Sequence, residues 1–99
     1  MTYTPAMSEN PKPEQLPGLV AKGLEMVEQR LQSSGGARIF DSIKAQLTYM
    51  KQTIDAHAKP TDEKLDSLTL GVYAAREFET SDPDFAAVLF DVEYLFKRL

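Results

Sequence analysis

Two strongly apolar stretches near the C-terminus, residues 65–80 and 85–99, restrict what this chain can fold into. Wound at about 100° per residue, Leu65, Leu68, Leu70, Val72, Ala74, Ala75 and Phe78 cover more than half of a helix's circumference. A helix clad in this way has to be enclosed, which predicts a central position for it. Its polar remainder, Asp66, Thr69, Tyr73, Arg76, Glu77 and Thr80, falls on a narrow outer strip and is the first candidate surface. In the second stretch Phe85, Val88, Val92, Leu95 and Leu99 step by three and four residues, marking one buried face. Phe90 and Tyr94 stand a turn apart roughly opposite that face, among Asp91, Glu93, Lys97 and Arg98. Either another helix or a partner covers them.

The corner Thr80-Ser81-Asp82-Pro83-Asp84-Phe85 reads as the end of one helix and the start of the next, since proline suits the first helical position, where no amide partner is missed. Asp82 is then the expected N-cap, and Ser81 with Asp84 offers a second arrangement like a capping box. Either way the carboxylates lie where the helix dipole favours negative charge.

Upstream, Leu16, Val20, Leu24, Val27 and Leu31 form one stripe, with Pro17 early enough to sit in a first turn. Ser33-Ser34-Gly35-Gly36 ends that helix as a linker; a phosphate-cradling loop would need a flanking strand and a following Gly-Lys-Ser/Thr, and neither is present. Phe40, Ile43, Leu47, Met50 and Ile54 mark a second helix, stopped by Lys59-Pro60, and Thr61 or Asp62 caps a third. The spacing predicts helices near 16–33, 37–58, 62–80 and 83–98, and loops this short favour antiparallel neighbours. No segment alternates as a strand does. The expected fold is therefore all-α, a small antiparallel bundle of about four helices, with one domain over 16–99 and a proline-containing tail over 1–15, pinned at most by Tyr3 and Met7.

The chain has 99 residues, enough for one core without staples, and no cysteine, so structural disulfides and thiolate metal sites are excluded. Eleven Lys and Arg against 15 Asp and Glu give a formal net charge of -4 with no basic run, which argues against nucleic acid as a partner. No apolar run approaches the roughly 20 residues that span a bilayer, and the N-terminus lacks the pattern of a signal peptide, so a soluble, cytoplasmic protein is expected. A modestly acidic surface suits docking to a basic protein patch.

Catalytic chemistry finds little support. His57 is the lone histidine, placed in a last helical turn where the dipole accounts for it, and no second ligand type completes a metal site. Glu77, Glu79, Asp82 and Asp84 straddle a helix end, where capping, solvation or a charged recognition edge explains them better than paired-carboxylate catalysis. Tyr73 with Arg76, and Phe90 with Tyr94, are residue types found at the anchors of protein interfaces. The residues alone lead to an acidic helical protein that binds another protein, with no enzymatic activity and no cofactor.

The run from Leu68 to Phe85 carries a further signal: Leu70-Gly71, Arg76-Glu77-Phe78-Glu79 and Asp82-Pro83-Asp84, in that order and spacing. It resembles a motif of bacterial immunity proteins that neutralise type VI secretion effectors with NAD(P)+ glycohydrolase activity. The resemblance implies a non-enzymatic cytoplasmic protein that forms a heterodimer with its cognate effector toxin domain, covering the active-site cleft and excluding the dinucleotide. A related nucleotide-consuming toxin, such as a pyrophosphokinase, is a second reading, and a small helical adaptor without a toxin is a third. On helical geometry the candidate toxin-binding residues are Tyr73, Arg76, Glu77, Glu79, Asp82, Asp84, Phe90 and Tyr94.

Overall fold

The computed structural model describes residues 11–34 and 37–99, and the readings of Tyr3, Met7, Gly35 and Gly36 lie outside them. A 3-10 turn, Pro13–Gln15, leads into α1, Leu16–Ser34; α2 spans Arg38–Asp55 and α3 Asp62–Asp66. Helix α4 starts at Leu70–Tyr73 and continues as a π-helical turn, Ala74–Phe78; α5 is Pro83–Phe96. Among the described residues there is no strand, and the chain is the all-α bundle that its periodicity predicts.

Cross-helix contacts fix the directions. Glu28 on α1 pairs with Lys44 on α2, and Gly23 lies against Leu47, so these helices run antiparallel. Gly23 is buried, and a Cβ there would meet Leu47 Cδ1 at 3.2 Å, so the glycine admits the leucine between the two helices. Phe78 packs on Phe85 while Gly71 meets Glu93, which sets α4 antiparallel to α5; Arg30 bonded to Asp82 and Gly23 lying against Val88 do the same for α1 and α5. The α1 stripe residues Leu16, Val20 and Val27, and Ile43, Leu47 and Met50 of α2, are buried as their spacing requires.

The central helix is α5, which corrects the expectation that the 62–80 segment holds that place. Phe85, Ala86, Ala87, Val88, Leu89, Asp91, Val92, Leu95 and Phe96 are all buried, so α5 is enclosed on nearly every side. Phe90, expected on an outer face, is half-buried and packed against the core. The periodic stripe of α5 is present, but Ala86, Ala87, Leu89 and Phe96 add a second covered side, as in a helix apolar around its circumference.

The expected helix 62–80 is broken. Thr61 caps α3, its hydroxyl accepting from the Lys64 amide at 3.2 Å, and α3 ends at Ser67, whose hydroxyl donates to the Lys64 carbonyl at 2.7 Å. Serine and threonine compete for backbone groups in this way and weaken a helix interior. The Thr69 amide donates to Gln46 Oε1 at 2.9 Å, and Gln46 Nε2 returns a hydrogen bond to the Thr69 hydroxyl at 2.8 Å. The break thus has its backbone satisfied from α2, and α4 restarts in a new rotational register.

Helix α2 also ends early, and His57 lies beyond it rather than in its last turn. His57 has φ 53°, its amide donates to the Ile54 carbonyl, and the Ala58 amide donates to the Thr53 carbonyl. Those bonds form a Schellman motif with histidine in the left-handed position usually held by glycine.

Candidate functional site

The new register of α4 decides which side chains reach solvent. Leu70, Ala74 and Phe78 turn inward and are buried, whereas Val72, Ala75, Arg76, Glu77 and Glu79 are exposed. Val72 is 49% exposed, although its place in the sequence stripe assigned it to the core. A strip running Val72, Ala75, Arg76, Glu79 therefore forms the outer face of α4 and its π turn, apolar at one end and charged at the other. Among the described residues Arg76, Glu77 and Glu79 make no ion pair, so their charges are available to a partner. The sequence held one signal for Val72: Ser67 and Thr69, both cap-forming types, precede Leu70 and announce a restart.

Beneath this end of the bundle lies a stack of three rings. Phe40 and Phe78 are stacked at 5.7 Å, and Phe78 meets Phe85 edge to face at 5.1 Å. Offset and edge-to-face pairs add to the area that the rings bury, so the π turn sits on a stiff floor.

The eight sequence-selected residues divide by position. Arg76, Glu77 and Glu79 lie on the exposed turn; Asp84, in the first turn of α5, is exposed at the same end of the bundle. Asp82 is at the N-cap position but caps nothing with its side chain. Its carboxylate instead accepts from Arg30 Nε at 2.6 Å and Nη2 at 3.0 Å, while the guanidinium lies 4.7 Å from the Phe85 ring centre. Asp82 is a strut between α1 and α5, and the Ser81 hydroxyl, rather than capping, donates to the Glu77 carbonyl at 2.8 Å.

Tyr73 is half-buried between α4 and α2, its hydroxyl donating to Ser42 Oγ at 3.2 Å, and so it supports the strip more than it extends it. Tyr94 is ten residues beyond Asp84, about 15 Å along the same helix, so it belongs to the opposite end of the bundle. Arg98 covers its ring at 3.6 Å and donates to its carbonyl at 2.9 Å. The structure thus brings four of the eight, Arg76, Glu77, Glu79 and Asp84, to one exposed end, ties Asp82 beneath them, and separates Tyr94 from them. Among the described residues no group of three or more His, Cys, Asp or Glu side chains is placed to hold a metal, and no helix is long and apolar enough to cross a membrane.

The fold has solved counterparts. Tsi6 from Pseudomonas aeruginosa matches with a TM-score of 0.76 at 29% sequence identity, over 84% of this chain and 85% of that one. A structure of Tse6 in complex with Tsi6 matches with a TM-score of 0.76 at 28% identity, over 83% of this chain and 86% of that one. No curated protein matches in sequence. A profile of the Tsi6 family matches residues 15–98, which takes in every helix described above, and the chain therefore belongs to the Tsi6 family of immunity proteins.

Proposed function

We propose that this chain protects the cell that makes it by binding a cognate type VI secretion effector with NAD(P)+ glycohydrolase activity and occluding its dinucleotide cleft. The observation that carries this reading is the family match over 15–98 together with a relative of the same fold in a complex with Tse6. The bound unit is a heterodimer of immunity protein and toxin domain, and the protein acts as a plug with no turnover of its own. It works in the cytoplasm, where an incoming toxin would meet the cell's NAD+.

The outer strip of α4 supplies the contact. A pocket built for a pyrophosphate presents donors and cations at its mouth, which Glu77, Glu79 and Asp84 complement in charge. Val72 and Ala75 supply apolar contact beside them, and Arg76 is of the type that anchors interfaces. Phe90 and Tyr73 serve from within, by packing behind the strip.

The test is an inhibition titration with the purified toxin domain and NAD+. Activity should fall linearly to zero near one immunity protein per toxin, with NAD+ competing for the free toxin, while the immunity protein alone leaves NAD+ and NADP+ intact. A complex that binds NAD+ as tightly as the free toxin overturns occlusion, and inhibition at far below one equivalent overturns the plug.

A further inference from the structure

Helix α4 is not capped by its own sequence. Thr69 stands at its N-cap position, yet its side chain bonds none of the helix's amides and is engaged by Gln46 of α2. The Gly71 amide donates to Glu93 Oε2 on α5 at 3.2 Å. Glu93's other carboxylate oxygen is buried and has no hydrogen-bond partner among the described residues, and Lys97 Nζ stands 3.9 Å from Oε2. Burying a carboxylate with one oxygen unsatisfied is costly, and a solvated serine or aspartate at position 69 would cap the helix locally at no such cost. What the remote carboxylate adds is a fixed distance between α4 and α5.

Gly71 makes that closeness possible. A Cβ at this position would lie 2.5 Å from Glu93 Oε2, so any side chain there displaces the carboxylate. Gly71 directly precedes Val72 and stands one turn before Ala75 and Arg76. Two side chains reaching in from α2 and α5, 23 and 22 residues from their partners, thus set both the starting point and the rotation of the exposed strip.

We propose that Glu93 and Gln46 are positioning residues for toxin binding, holding α4 in the register that presents Val72 and Arg76, with Gly71 as the position that admits the Glu93 clamp. The proposal rests on the reading that the α4 strip faces the toxin. Its energetic basis is preorganisation: a strip already fixed in the free protein loses less conformational freedom on binding.

The experiment measures the affinity of full-length variants for an inactivated toxin domain by calorimetry, after circular dichroism confirms folding. Glu93→Ala should raise Kd about tenfold and speed hydrogen exchange at the Gly71 and Val72 amides of the free protein, whereas Glu93→Gln, which keeps shape and an acceptor, should stay within about threefold of wild type. Gly71→Ala should weaken binding in the wild-type protein. In the Glu93→Ala background the same change should be neutral or restorative, because the conflict is gone and alanine is the better helix former. Should Glu93→Ala not fold, Glu93→Asp, one methylene too short to reach, carries the same expectations. An unchanged Kd in the folded Glu93 variant, or an equal cost of Gly71→Ala in both backgrounds, overturns the positioning role alone. Wild-type affinity for Val72→Asp and Arg76→Ala removes the strip from the interface and the proposal with it.

Discussion

The Arg30–Asp82 pair sets a local reading of the sequence against a long-range one, and the two differ in what a double substitution does. Arg30 makes two charge-assisted hydrogen bonds to Asp82, at 2.6 and 3.0 Å, donates a third to the Met26 carbonyl at 3.0 Å, and lies over the Phe85 ring. The side chains are 24% and 29% exposed, so the pair ranks above a surface ion pair of about 0.2–1 kcal/mol and below a fully buried one. With about 0.5–1 kcal/mol from the ring contact and the packing of the arginine stem, Arg30→Ala should cost about 2–3 kcal/mol. Asp82→Ala in the wild-type protein should cost about 1.5 kcal/mol. If Asp82 acts through Arg30, that second cost should fall to within about 0.5 kcal/mol of zero once Arg30 is alanine. A helix cap behaves otherwise, since its loss costs about 1 kcal/mol in either background. Urea unfolding of the four proteins, with m-values compared so that only the midpoints move, measures the difference. Additivity of the two substitutions would refute the strut and return Asp82 to the role of a cap.

Two further outcomes follow from backbone geometry and burial. His57→Gly should stabilise the protein by about 1 kcal/mol, because the residue holds φ 53° at a helix end, while His57→Ala should bring no such gain; thermal unfolding of both variants checks it. Val92→Asp places a carboxylate at a fully buried position of α5 and should abolish cooperative unfolding, whereas Val72→Asp, at a position 49% exposed, should keep the stability within about 0.5 kcal/mol of wild type and be felt in toxin binding instead.

The helices and most of their inward faces were legible because their signal is local. Val20, Val27, Ile43, Leu47 and Met50 are buried where a period of three and four places them, and Pro83 starts α5 as its fixed φ favours. The early end of α2 at His57 is a local Schellman turn that was missed, whereas two other features that were not legible depend on a residue far away in the chain. Capping grammar pointed to Asp82, but Arg30, 52 residues upstream, holds its carboxylate. The break at Ser67–Thr69 rests on Gln46, 23 residues upstream, and a continuous apolar stripe concealed it. The central place of α5 was missed by the expectation of one buried face for 85–99, although Ala86, Ala87, Leu89 and Phe96 lie off that stripe and make α5 apolar around most of its circumference.

The same long-range contacts explain why the candidate surface was only half visible. Had residues 65–80 continued as one helix, Val72 would have shared a buried face with Leu65 and Leu68, leaving only polar residues outside. The restart at Leu70 and the π turn instead let Leu70, Ala74 and Phe78 carry the packing at steps of four residues, which frees Val72 and Ala75 to face outward beside Arg76. A π turn inserted in a helix is commonly found at functional positions, and here its consequence is concrete. Together with the restart it leaves Leu70, Ala74 and Phe78 as a buried row, and an exposed row in which Val72 and Ala75 adjoin Arg76 and Glu79, which make no ion pair among the described residues. Charge alone at that end would steer a toxin towards the surface, but slow dissociation needs apolar or guanidinium anchors that shed water on contact. Glu79→Lys with Asp84→Lys should accordingly slow association in a salt-dependent manner, and Arg76→Ala should accelerate dissociation, both read from binding kinetics across a salt series. Equal effects of all these changes on the association rate alone would show that the strip steers without anchoring, and would move the holding contacts to another face of the bundle.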